Sequence, residues 1–168
     1  MNIAELNNLD VRDVEEHFLR CCGCREWARK MAEGRPYQSV DAVCAAADRT
    51  WDALSQDNWL EAYTAHPRIG DINSLRKKFA NTKEWASGEQ SGVQSATDQV
   101  IQALADGNNA YEKKFGFIFI VCATGKSADE MLSLLTVRLN NNRDQEIANA
   151  GEEQKKITRI RIDKWLKD

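Results

Sequence analysis

Apolar residues recur along this chain at intervals of three and four, the period of helices that bury one face, while strict two-residue alternation is almost absent. Asp10 could cap a helix in which Val11, Val14, Phe18 and Leu19 share a face. Ser39 opens a longer one, with Val40, Val43, Cys44, Ala47, Trp51 and Leu54 at core spacing. Ser55 and Asn58 start another, whose Trp59, Leu60 and Tyr63 turn inward before Pro67 restricts it. Ser87-x-x-Gln90 and Ser127-x-x-Glu130 both fit a capping box. The first precedes Val93, Ala96, Val100, Ile101 and Leu104, in a helix expected to end near Gly107. The second precedes Met131, Leu134, Leu135, Val137 and Leu139. A last helix is expected from about Arg143 to Lys167, with Ile147, Ile157, Ile160 and Trp165 among its apolar positions.

One segment breaks this rhythm. Phe115 to Ala123 is aromatic, β-branched and apolar, with Gly116 and Gly125 near its ends, and alone it would read as a buried strand. No comparable run exists to pair with it. The economical expectation is an all-α, single-domain multi-helix bundle over 1–168, with one buried extended segment near 115–124. Such a segment leaves backbone donors and acceptors that need partners, and a ligand can supply them.

Composition narrows the class without naming a function. The 168 residues are 42% hydrophobic and 29% charged, enough for a substantial core in one domain. A net charge of −3 argues against a general nucleic-acid surface, which depends on massed Lys and Arg. No apolar run is long enough to span a bilayer, and the amino-terminal residues do not read as a secretory signal. Five cysteines, with Cys21, Cys22 and Cys24 crowded together, form neither a disulfide framework nor a metal-ligand set of matched spacing. Reduced thiols in a cytoplasmic protein are the consistent reading.

Three places could carry chemistry. His66 stands at a helix-to-loop junction in His66-Pro67-Arg68-Ile69-Gly70, where Pro67 stiffens the mount of a side chain that titrates near neutrality. The bland alternative is a histidine that merely ends a helix, and His17, between Glu16 and Phe18 on an amphipathic helix, reads as a boundary residue. Ser87-Gly88-Glu89-Gln90-Ser91-Gly92 suits either a close approach to a polar ligand or a simple capped helix start. In Ile157-Thr158-Arg159-Ile160-Arg161, the two arginines fall on different helix faces, so either both lie at the surface or one points inward toward an anion. No phosphate loop, nucleophile elbow or dinucleotide fingerprint is present.

Taken in order, these pieces resemble the 2-oxo-4-hydroxy-4-carboxy-5-ureidoimidazoline (OHCU) decarboxylases of urate breakdown. The resemblance rests on His66-Pro67 with Gly70 and on Glu89-Gln90 with Gly92. It continues through Lys114–Ala123, Gly125-Lys126-Ser127, Arg138-Leu139-Asn140-Asn141 and Ile157–Arg161. Two positions depart from the family pattern. Ala86 stands where the family often has serine, with Ser87 one residue later, and Ile118 stands where proline is common.

The resemblance implies an all-helical, homodimeric enzyme that converts OHCU to (S)-allantoin and carbon dioxide without metal or organic cofactor. It casts His66 and Glu89 as catalytic. It implies substrate contacts from Pro67, Ala86, Ser87 and Gln90, from the backbone of Ile120, Val121, Cys122 and Ala123, and from Arg161. The competing class is a non-catalytic helical binding module, which would tolerate loss of His66 where the enzyme would not.

Overall fold

The computed structural model describes residues 1–68, 72–79 and 91–168, with side chains from residue 97 onward in the last stretch. Among these residues the chain is all-α. Its helices are α1 (Ile3–Asn8), α2 (Val11–Cys21), α3 (Arg25–Glu33), α4 (Val40–Asp52), α5 (Gln56–Thr64), α6 (Ile72–Phe79), α7 (Ser91–Phe115), α8 (Ala128–Arg138) and α9 (Arg143–Trp165). The one extended pairing among them is an isolated parallel bridge between Asn2 and Lys167.

Helix starts follow the caps legible in the sequence. The side chains of Asp10, Ser39, Ser55 and Ser127 accept hydrogen bonds from Arg12, Ala42, Asn58 and Glu130 amides respectively. Three helices were not expected from the pattern. α1 is capped by an Asn2–Glu5 box, α6 is short and carries a basic last turn, and α3 begins at Cys24 with no side-chain cap. α7 also overruns its expected end. A Cβ at Gly107 would lie 2.6 Å from Leu135 Cδ2, so this glycine marks close packing of α7 against α8 rather than a stop. The stop comes at Gly116, whose φ of +82° leaves the helical region. Of the expected core positions, Val11, Leu19, Leu134 and Val137 are exposed.

The residues form two compact units. Met1–His66, Ile120–Cys122 and Ile147–Asp168 make the first, and Pro67–Phe119 with Ala123–Glu146 make the second. In the first, α3 packs on α2, α4 and α5. Phe18 meets Trp27 edge-on at 5.7 Å, and the Trp27 indole donates to the Ala47 carbonyl at 3.1 Å. Tyr63, fully buried, donates its hydroxyl to the Ile147 carbonyl at 2.7 Å and so ties α5 to α9. In the second unit α6 and α8 pack on α7. Tyr111 gathers Phe115, Phe117 and Phe119 around itself at ring distances of 4.5, 5.8 and 5.3 Å. The backbone from 118 to 123 is neither helix nor strand, with Ile120 and Cys122 buried. The extended segment expected near 115–124 is shorter, because Phe115 ends α7, and its alternate residues are only half-buried.

Candidate functional site

α5 delivers His66 to its position. The helix closes on Ala65, whose amide donates to the Glu61 carbonyl at 3.1 Å, and the His66 amide reaches back to Tyr63 at 3.4 Å. The imidazole then faces α9, where its Nε2 lies 2.5 Å from Gln154 Oε1. Gln154 is 1% exposed, and its amide nitrogen donates to Thr158 Oγ1 at 3.0 Å. Burial pushes the His66 pKa below its usual 6.5; the bond to Gln154 works in the opposite direction and the positive charge of Arg161 reinforces the lowering. A half-buried imidazole held in this way is neutral near pH 7 and available as a proton acceptor.

The same helix presents Arg161, seven residues beyond Gln154 and three beyond Thr158, so all three fall near one face. One guanidinium nitrogen of Arg161 donates to the Cys21 carbonyl at 3.1 Å, which fixes the side chain while leaving further donors for an anion. Arg159 does the opposite. It is exposed and pairs with Asp41 at 3.1 Å on the surface. The pattern had left open which arginine turns inward, and the fold selects Arg161.

The extended segment meets α9 one residue earlier. The Cys122 amide donates to Glu153 Oε1 at 3.2 Å, and the other carboxylate oxygen of Glu153 pairs with Lys156 at 2.6 Å. A side chain of the chain itself therefore engages the Cys122 amide. His66, Ile120, Val121, Cys122 and Arg161 all lie in the first compact unit, whereas Pro67 and Ala123 belong to the second. Ala86, Ser87, Glu89 and Gln90 lie outside the described residues.

Gln154, Thr158 and Glu153 were missed by sequence reasoning. Two of them are polar residues on a buried helix face, where the apolar period registers only a gap, and their partners are remote in the chain. Among the described residues no group of three or more His, Cys, Asp or Glu side chains is placed to hold a metal ion. All five cysteines are buried, and none forms a disulfide. Burial raises the thiols of Cys21 and Cys44 to about 11 and also raises those of Cys22 and Cys24, so they stay protonated near neutrality.

A neutral imidazole just past the end of α5, within the field of a fixed guanidinium on α9, defines an all-helical protein suited to acid–base chemistry on a small anionic molecule. The OHCU decarboxylase family matches residues 7–163, and the chain belongs to that family. It is 36% identical over 154 residues to the uric acid degradation bifunctional protein TTL of Arabidopsis thaliana, covering 92% of this chain and 48% of the relative. The chain thus spans about half the length of that relative. It is 24% identical over 163 residues to the OHCU decarboxylase of Haloferax volcanii, covering 96% of this chain and 94% of the relative. Among solved structures, an OHCU decarboxylase determined in the presence of (S)-allantoin superposes with a TM-score of 0.70 at 34% identity, covering 90% of this chain and 96% of that one.

Proposed function

We infer that this chain catalyses the decarboxylation of OHCU to (S)-allantoin and carbon dioxide in urate degradation. The observation that carries the reading is His66, held neutral against Gln154 beside Arg161 in a chain of the OHCU decarboxylase family. When the carbon–carboxylate bond breaks, its electron pair can enter the adjacent carbon–nitrogen double bond of the imidazoline. The ring nitrogen that receives the displaced pair takes up a proton, the ring hydroxyl then gives up its proton to become a carbonyl, and the carbon bearing the ureido group takes a proton on one face. Carbon dioxide leaves, and the net change is uptake of one proton per carboxylate lost.

The protein's task in this reaction is to orient the carboxylate and to move protons to and from stated atoms. In our reading neutral His66 accepts the hydroxyl proton and returns a proton to the product. Arg161 holds an anionic or carbonyl group of the substrate. Glu89 and Gln90 take the ring and ureido amides, with Pro67, Ala86, Ser87 and the backbone of Ile120–Ala123 completing the contacts. The chain acts as one domain, since the family match at 7–163 runs through the segments of both compact units. We further propose a cytoplasmic homodimer, which light scattering and cell fractionation check.

The test generates OHCU in situ from urate and follows allantoin by circular dichroism. The expected result is faster formation of the (S) enantiomer than the spontaneous, racemic background, with the acceleration lost in His66→Ala. A rate and enantiomer ratio equal to background would leave a non-catalytic binding module as the better reading.

A further inference from the structure

We propose that Gln154 and Thr158 are positioning residues that fix the tautomer of His66, placing its proton on Nε2 and leaving Nδ1 as the nitrogen that exchanges a proton with substrate. The argument is one of hydrogen-bond polarity along a buried chain. Thr158 is 5% exposed and lies beside Cys22, itself fully buried. The Thr158 hydroxyl oxygen accepts from the Gln154 amide nitrogen at 3.0 Å. A primary amide whose nitrogen is committed on one side presents its oxygen on the other, and here that oxygen lies 2.5 Å from His66 Nε2. An amide oxygen only accepts, so Nε2 must carry the hydrogen.

This arrangement suits a residue that cycles its charge. Gln154 can accept from Nε2–H in both the neutral and the protonated ring, so the bond survives while Nδ1 gains and loses its proton. No described residue hydrogen-bonds Nδ1. The reverse amide orientation would aim an N–H at Nε2, move the ring hydrogen to Nδ1, and lose its bond each time the ring became charged. An outer partner that sets which ring nitrogen is basic is a general device of histidine chemistry.

The rate effects below rest on the decarboxylase reading, but the tautomer does not, and the two can fail separately. The chain has only two histidines, His17 and His66. Nitrogen-15 spectra of histidine-labelled protein, assigned with a His66→Asn variant, therefore report the His66 ring directly. The expected wild-type signal is protonated Nε2 with a bare Nδ1 at a pH where the ring is neutral. Gln154→Leu and Thr158→Val should both admit the other tautomer. Gln154→Leu should lower kcat by about 10- to 100-fold with KM changed less than about twofold. Gln154→Glu keeps an acceptor in place, so it should restore the Nε2–H form, recover part of kcat, and move the His66 titration and the acid limb of the rate profile upward together. A wild-type ring protonated on Nδ1 overturns the proposal, whatever the activity. So does a Gln154→Leu variant that loses rate while its tautomer stays unchanged, or one that keeps both. A wild-type protein with no activity on OHCU but with the expected tautomer would defeat the decarboxylase reading and leave the positioning intact.

Discussion

Glu146 has no solvent exposure, and its carboxylate lies 2.6 Å from Arg138 Nε, so the second compact unit contains a buried ion pair. The acid also accepts from the Tyr111 hydroxyl at 2.6 Å and from the Asn141 amide at 2.9 Å, while the guanidinium sits 4.6 Å from the Phe119 ring centre. Such a pair contributes little net stability against an apolar replacement, but breaking one half strands a charge, at about 3–5 kcal/mol. Glu146→Leu should therefore lose stability in that range in urea denaturation. Adding Arg138→Met should recover a large part of it. A double variant no more stable than the single would contradict this account.

Gly23 fixes where His66 stands. A Cβ at Gly23 would come within 2.2 Å of Ala65 Cβ, far inside van der Waals contact, and Ala65 immediately precedes His66. Neither methyl group can rotate away, so Gly23→Ala must shift the α2–α3 turn or the end of α5. We expect a stability loss of about 1–3 kcal/mol, as for other overpacked sites. The His66 nitrogen signals should lose the shifts that mark the Gln154 bond. Wild-type shifts in a folded variant would show that the turn absorbs the methyl without moving His66.

Most of the helical frame was legible because amphipathic faces and hydroxyl or carboxylate caps are local. Asp10, Ser39, Ser55 and Ser127 each mark a true helix start. α3 escaped because Cys24 offers no capping oxygen. Gly107 misled because a glycine that admits a neighbouring helix has the same letter as one that ends its own. The candidate site stood out where chemistry is rare, at His66, the one of the two histidines that precedes a proline. It was illegible at Gln154 and Thr158, where the apolar period simply skips and the contact to His66 spans 88 residues of sequence.

The two arginines near the carboxyl end should separate cleanly. Arg161 is anchored to the Cys21 carbonyl, whereas Arg159 is exposed and bound to Asp41, an acid exposed in turn. Exposed pairs contribute about 0–1 kcal/mol. Arg159→Ala should change stability and steady-state kinetics little. Arg161→Lys loses the planar fork and should raise KM roughly tenfold or more, because a point charge replaces several fixed donors. Equal effects from the two substitutions would remove Arg161 from the binding role assigned to it.

The depressed pKa of His66 fixes the direction of two pH dependences. Burial is the larger cause, the Gln154 bond opposes it, and Arg161 adds to the lowering. A folded-state pKa below the unfolded value of 6.5 means that the unfolded chain binds more protons in that interval, so stability rises with pH there. The contribution is present above about 6.5 and is lost as pH falls through the folded value. If neutral His66 is the base in the free enzyme, the acid limb of kcat/KM falls below 6.5 rather than at or above it. Arg161→Met removes one lowering charge, so the His66 titration followed by nitrogen-15 shifts should move upward in that variant. A midpoint unchanged or lower in Arg161→Met would mean that the guanidinium does not act on the imidazole, and burial alone would then account for its neutrality.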